Sequence, residues 1–481
     1  MVKNAAFCNS LRVLISTTVL LLQAASLHAQ PDEVREAVRL SREYLELVDG
    51  TQKTRLAKQL SEHDVRWQQV IAELGSREHD DVKPGYYPQQ HFSDPALREE
   101  HPDDLLYLVV PKEYQPDKPI GLVVFMHGGG SGSPRTAPGT YMTPGTTDEP
   151  QAGTPIGDVF ESIGMIGVGP SAPWNEKDNS RWTVPEADEY IADVIRECKV
   201  RFHIDPDRVM LFGHSMGGFG AFHQVQRQPD RFAAVLCSAG SWRLACWPVI
   251  RGTAFGLLHG TKDAQRGVRA RYTDIAYSRA AHQMLTRREI PHTIVEDSGG
   301  HSIGFHKKQI KQFFADSSDV RRNPYAAHIA LASPVGYVSH KCFPVKHNRW
   351  LTLDAQTEGD IEFDEVRSSR KGVSQKSSEE DWNAWTLTQT TTKRPGALIE
   401  AVNEGGNRFR VTTNNVSRLT LWLHARMVDF GAPVRVNVDG KTRFEGRVSP
   451  SLVQALDSYH RRGDWRLVYP AKVTLDIAEP E

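Results

Sequence analysis

Along residues 31–48 apolar side chains recur every three or four positions: Val34, Val38, Leu40, Tyr44, Leu45 and Val48. That period predicts an amphipathic helix. Residues 54–74, TRLAKQLSEHDVRWQQVIAEL, repeat it, and Asp49-Gly50 marks the break between two helices with a packing role. From about residue 104 the period changes. LLYLVV (105–110), GLVVFMHGGG (121–130), IGMIGVGPSAP (163–173), RVMLFGHS (208–215), AAVLCSAGS (233–241), AFGLLHGTKD (254–263) and HTIVEDSGGH (292–301) read as strands. Helical stretches alternate with them. Residues 186–202 place Ile191, Val194, Ile195 and Cys198 on one face, residues 217–229 stop at Pro229, and 272–287 and 305–314 follow. Buried apolar strands alternating with helices imply an α/β fold, a mostly parallel sheet covered on both faces.

Beyond about residue 322 helical signals fade. Residues 406–428 alternate, VRVNVDGKTRFEG (434–446) reads as a hairpin on an Asp-Gly turn, and a short helix is expected near 450–459. The last third is therefore predicted to be β-rich, as in a small sandwich. SSRKGVSQKSSEED (368–381) reads as a polar surface loop, and there is no tandem repeat.

The chain has 481 residues, enough for two or three domains; 39% are hydrophobic and 24% charged, so a sizeable core is expected. The formal net charge of −1 gives no electrostatic case for nucleic acid or an anionic membrane. Lys3 and Arg12, an apolar run over 13–22 and small residues ending at Ala29 describe a secretory signal peptide, residues 1–29. Export makes the protein secreted or periplasmic. The run is short for a span of about 20 residues, and no later segment is apolar enough to cross a bilayer, so no stable membrane insertion is expected once the signal is removed. Cys8 precedes the apolar run and is wrongly placed for lipid attachment at a signal cleavage site. Cys198, Cys237, Cys246 and Cys342 remain after cleavage; they permit three disulfide pairings, although Cys237 in an apolar run reads equally as a buried thiol. The predicted organisation is a helical extension (30–100), a catalytic α/β domain (101–322) and a β-rich accessory domain (323–481).

Gly213-His214-Ser215-Met216-Gly217 stands between a strand and a helix and fits G-x-S-x-G, the nucleophile elbow. A serine hydroxyl is a weak nucleophile; it needs a base, and the base needs an orienting acid. His301, after a strand and two glycines, is the predicted base, ahead of His306, His282 and His292. Asp263, in the loop after an apolar strand, is the predicted acid, with Asp297 as its rival and Asp274 farther into a helix. The tetrahedral intermediate needs N–H donors. Met216 supplies one, and the HGGGSGS loop, through Gly128 or Gly129, supplies the other. That loop lacks the GxxxxGK[ST] spacing of a phosphate cradle.

Together these motifs resemble the α/β-hydrolase superfamily, over about residues 100–318. The likeness is to secreted esterases of the polyhydroxybutyrate-depolymerase and feruloyl-esterase type and to prolyl-oligopeptidase-like catalytic domains. It implies an α/β-hydrolase fold and serine hydrolysis of carboxylic esters, with a peptidase as the alternative and a binding protein that has lost catalysis as a third reading. The β-propeller of prolyl oligopeptidases has no counterpart, because residues 30–100 are too few for even two blades. The implied partner is an ester-bearing small molecule or polymer, with polysaccharide as one polymer class.

Substrate contacts are expected from His214 and from residues 169–188, which carry Trp174, Arg181 and Trp182. Tryptophan stacks on sugar or aromatic acyl groups, and arginine holds a carboxylate. Packing around the next helix is the competing role. Residues 133–155, rich in Pro, Gly and Thr, are long enough for a lid or rim. Trp242 and Trp247 are expected to pack in the core or face the cleft. Trp350, Trp382, Trp385, Trp422 and Trp465 suit a β core better than a carbohydrate platform. Nineteen histidines carry no HExxH or comparable spacing, so neither metal nor cofactor is expected.

Overall fold

The computed structural model describes residues 31–48, 50–129, 133–145, 149, 151–172, 181–263, 273–336, 343–369 and 386–477. The signal segment, Trp174, Cys342, Trp382 and Trp385 lie outside them. The described residues divide into two compact units, one within 31–76 and 450–471 and the other within 77–449 and 472–477.

In the smaller unit three helices, Pro31–Glu46, Thr51–Glu62 and Trp67–Gly75, replace the two expected, because the chain turns extended at His63. A fourth, Leu452–Arg462, packs with them although sequence assigns it to the C-terminal β region. The reason is its apolar face: Leu452, Ala455 and Leu456 share one core with Ala37, Leu40, Leu56, Leu60 and Val70. Tyr44 also donates to Asp457 at 2.6 Å.

The larger unit is built on β1 (Gly85–Gln90), β2 (Leu106–Val110), β3 (Ile120–Met126), β4 (Met165–Pro170), β5 (Ile204–His214), β6 (Ala234–Ser238), the two-residue β7 (Leu244–Ala245), β8 (Ala254–Gly260) and β9 (Thr293–Asp297). Eight of these form one sheet in the order β1-β2-β4-β3-β5-β6-β8-β9. β2 runs antiparallel to both its neighbours, and the ladder from β4 to β9 is parallel. This is the α/β-hydrolase architecture that the motifs imply. Val123, Phe125, Met210, Phe212, Leu236 and Leu258 pack one face against Phe160, Ile310 and Phe314. Helix Met216–Arg227 packs on β3, β5 and β6.

The register positions the site. Met126 pairs with Gly213, Gly213 with Cys237, Cys237 with Leu257, and Gly260 with Asp297. The carboxyl ends of β3, β5, β8 and β9 are therefore level, and the loops that leave them meet at one edge.

The remaining strands are β10 (His328–Ser333), β11 (His347–Asn348), β12 (Leu351–Gln356), β13 (Asp360–Ser369), β14 (Thr386–Pro395), β15 (Ala397–Gly405), β16 (Arg408–Asn414), β17 (Val416–Leu423), β18 (Val434–Val438), β19 (Lys441–Gly446) and β20 (Ala471–Asp476). A five-stranded sheet, β10-β15-β16-β18-β19, packs against a four-stranded one, β11-β12-β17-β20. The expected hairpin joins β18 and β19 at Asp439-Gly440, both with positive φ. The chain is tightly packed around the expected 322/323 boundary. Arg322 is buried and donates to Asp207 at 2.9 Å, and β13 pairs with β7 across the expected division. Trp350 and Trp422 are buried, and Trp465 stacks on Tyr459 in the helical unit. Cys198, Cys237 and Cys246 are buried free thiols, so no disulfide joins any two of these three.

Candidate active site

β5 ends at His214, and Ser215 then takes φ 58° and ψ −115°, a left-handed conformation that costs a residue with a side chain about 1–3 kcal/mol. Packing holds it there. Ser215 N–H donates to Ser238 O at 2.9 Å, and Phe219 N–H donates to Ser215 O at 3.1 Å. The glycines of the motif answer to close approach. A Cβ on Gly217 would collide with the Met126 carbonyl, and one on Gly213 with the Gly217 backbone. The helix can therefore start directly over β3 and β5.

The loop after β9 brings His301 to the serine. His301 Nε2 lies 2.9 Å from Ser215 Oγ, and Nδ1 lies 2.7 Å from Asp263 Oδ2. A carboxylate only accepts, so the Nδ1 proton is donated to Asp263 and Nε2 is left to accept from the serine hydroxyl. The rival acid has another partner. Asp297 takes a hydrogen bond from His306 Nδ1 at 2.6 Å and one from Gly299 N–H at 2.8 Å, bracing the loop that carries His301. Asp274 accepts from Ala276 N–H at the start of the following helix, and His282 and His292 pair with each other at 2.8 Å.

Asp263 has a second neighbour that sequence reading passed over. His259 Nε2 donates to Thr273 O at 2.7 Å and lies 3.3 Å from Asp263 Oδ2; its Nδ1 accepts from Ser278 at 2.8 Å. Burial pushes the Asp263 carboxyl up, but hydrogen bonds from His259 and His301 outweigh it and hold the group below its ordinary range. The available signal was a histidine four positions before the acid, at the end of an apolar strand.

The loop after β3 is locked from behind. Trp182 Nε1 donates to His127 O at 3.1 Å, and His127 Nδ1 donates to Gly128 O at 2.7 Å. A trans peptide points its N–H opposite to its C=O. The amides of Gly128 and Gly129 are therefore turned away from their two anchors. Gly129 reaches the pocket wall with φ 103°. Burial holds the His127 imidazole down at about 4, so it stays neutral as this tether. Met216 opens the helix beside Ser215.

A cavity of about 500 Å³ opens over the serine; Thr140, Tyr141, Gly153, Thr154, Thr273 and Ile303 line it with Gly129, His214, Ser215, His301 and Ser302. From the Pro-, Gly- and Thr-rich segment Thr140, Tyr141, Gly153 and Thr154 supply wall, and Gly153 N–H donates to Ser302 Oγ at 3.1 Å. His214 lines the cavity; its Nδ1 lies 3.1 Å from Ser238 Oγ. Burial and the neighbouring imidazoles His301, His306 and His259 push it well below the ordinary histidine range, so it is uncharged. Arg181 and Trp182 correct the expectation. Both are at most 1% exposed, and neither lines the cavity. The apolar ring is drawn inward, with Trp182 edge-on to His127 at 5.5 Å. Trp242 and Trp247 are buried too.

Trp182→Phe removes the donor to His127 O. The expected loss is about 1–3 kcal/mol of stability, the cost of an unpaired buried acceptor. A fall in kcat with KM nearly constant should accompany it as the glycine loop loosens. Thermal melting and steady-state kinetics read both, and an unchanged melting temperature would remove the bond from this account.

Sheet order and register give the chain an α/β-hydrolase fold, with the strained elbow serine and its histidine at the carboxyl edge of the sheet. Residues 163–271 match the family described as Serine aminopeptidase, S33. No curated protein matches the sequence. Among solved structures it is similar to a thermostable esterase (20% identity, TM-score 0.36, 49% of this chain and 63% of that one). Others are a ferulic acid esterase (16%, TM-score 0.35, 50% and 98%) and the acylaminoacyl peptidase of Pyrococcus horikoshii (12%, TM-score 0.32, 50% and 41%). The chain thus spans less than two thirds of the thermostable esterase. These likenesses are partial, and the fold assignment stands on strand order and register. Among the described residues no helix is long and apolar enough to cross a membrane.

Proposed function

We propose that the protein hydrolyses carboxylic esters through Ser215, His301 and Asp263. One observation carries the reading: the hydrogen-bonded chain from Ser215 Oγ through His301 to Asp263, at 2.9 and 2.7 Å, beneath an open cavity. Ser215 Oγ adds to the ester carbonyl carbon while His301 Nε2 takes the hydroxyl proton. Asp263 accepts from Nδ1 and stabilises the imidazolium. The carbonyl oxygen becomes an anion held by the amides of Met216 and the Gly128–Gly129 loop. Collapse breaks the bond to the alkoxy oxygen, which leaves with the proton from His301. The resulting acyl-serine is cleaved by water along the same route, and the acid and free serine are restored.

A peptidase is the second reading, favoured by the aminopeptidase family match over residues 163–271. A free amino terminus calls for a carboxylate near the serine. The described residues lining the cavity include neither a carboxylate nor a guanidinium, and hydroxyls of Thr140, Tyr141, Thr154, Thr273 and Ser302 dominate its polar groups. That lining suits a neutral, short acyl ester. The test is a paired panel of short-acyl and feruloyl esters against aminoacyl and peptide amides. Ester turnover at least tenfold above amide turnover is expected, and the reverse order would install the peptidase.

Residues 1–29 are read as an export signal on their sequence pattern. Protein recovered from the medium or periplasm of an expressing bacterium should begin at Gln30. An intact Met1 terminus would refute cleavage.

A further inference from the structure

Tyr141 is the one phenol among the described residues lining the cavity. Its ring is fixed on two sides, at 5.6 Å and 61° to Phe125 and at 6.4 Å and 23° to His127, the residue that tethers the glycine loop. Its carbonyl accepts from Ile156 N–H at 2.8 Å, fixing the backbone as well. A Cβ placed on Gly128 would sit 3.3 Å from the Tyr141 hydroxyl and 3.1 Å from Ser215 Cβ, so phenol and serine flank the same glycine. No hydrogen bond from this hydroxyl joins it to another described residue. Burial raises the phenol above its ordinary range, so it keeps its proton at neutral pH.

We propose that Tyr141 donates a hydrogen bond to the oxygen of the tetrahedral intermediate, as a third donor beside the amides of Met216 and the Gly128–Gly129 loop. The inference rests on the ester-hydrolase reading of Ser215. Tyr141 keeps its proton throughout; the bond strengthens as the carbonyl oxygen gains charge and relaxes as the intermediate collapses. A donor fixed before reaction needs no reorganisation when charge develops, and removing one such donor slows turnover by about 10²–10³ where it is a principal donor. As one of three, Tyr141 is expected to contribute somewhat less.

The test is Tyr141→Phe assayed with p-nitrophenyl acetate and with phenyl trifluoromethyl ketone, whose adduct with a serine carries the same oxyanion. A fall in kcat of about 10–100-fold is expected, with KM within threefold and ketone affinity weakened by a similar factor. Tyr86→Phe, which removes a phenol outside the cavity, should leave both readouts unchanged. A kcat within threefold of wild type overturns the proposal. So does a lower kcat with undiminished ketone affinity, which would mark Tyr141 as packing alone. Ser215→Ala keeps the two failures apart. If it turns over ester like wild type, the reading of Ser215 falls. If it is dead while Tyr141→Phe is fully active, only Tyr141 falls.

Discussion

Ser215→Ala is expected to lower kcat for a short-acyl ester by about 10⁶, the scale seen when a serine nucleophile is removed from such a site. In the proposed mechanism this hydroxyl is the atom that bonds to the acyl carbon, and it is the one held 2.9 Å from the His301 imidazole. Some acceleration over water should survive, about 10³–10⁴, because the amide donors and the binding cavity remain. Melting temperature should stay the same or rise, since only a hydroxyl is lost and the backbone bond from Ser215 N–H to Ser238 O is untouched. The check is burst kinetics with p-nitrophenyl acetate, alongside covalent labelling by a fluorophosphonate. Full labelling of the variant would mean that another residue is the nucleophile.

The second large effect is expected from Asp263→Asn, a fall in kcat of about 10⁴. An asparagine amide can donate to His301 Nδ1 where the carboxylate accepted. The ring then carries its proton on Nε2, facing Ser215 and unable to take its hydrogen. The imidazolium also loses its counter-charge. His259, 3.3 Å from the same carboxylate, holds the group from the other side, so the substitution leaves that imidazole facing a neutral amide. A pH signature follows. Because the Asp263 carboxyl is held low in the fold, its ionised form stabilises the protein above the unfolded carboxyl range, about 3.9, and this contribution is lost as pH falls through the lower folded value. Asp263→Asn should therefore be less stable than wild type near neutrality, with the gap closing in acid. Denaturant melts across pH read the gap. A gap that widened in acid, or a kcat loss under tenfold, would remove Asp263 from its role.

Much of this site is legible from local rules. The elbow needs glycines where a helix crosses a sheet, and a serine between them at a strand end has few other uses. The strand and helix periods over residues 104–318 anticipate the alternation that becomes the sheet, because each buried strand must be apolar along its whole length. Other residues were ambiguous for stated reasons. Asp263 and Asp297 both follow strands, and only the paired register of β8 and β9 divides them, one carboxylate to His301 and the other to His306. Trp182 and Arg181 looked like surface recognition groups because composition does not say which way a short 3₁₀ turn faces. Tyr141 carries no motif at all.

The helix Leu452–Arg462 marks the limit most clearly. Its amphipathic period was readable, and so its existence was; its partners, the helices between Pro31 and Gly75, lie almost 400 positions away in the chain. Chain-local patterns follow from backbone sterics and hydrogen bonding, which reach three or four residues. They were enough for the elbow, for the alternation of elements and for the chain order of Ser215, Asp263 and His301. Which carboxylate meets which imidazole, which aromatic ring lines the cavity and which turns inward, and which helices share a core all depend on packing between distant segments. Burial is non-directional, and it is resolved only when the whole interior closes.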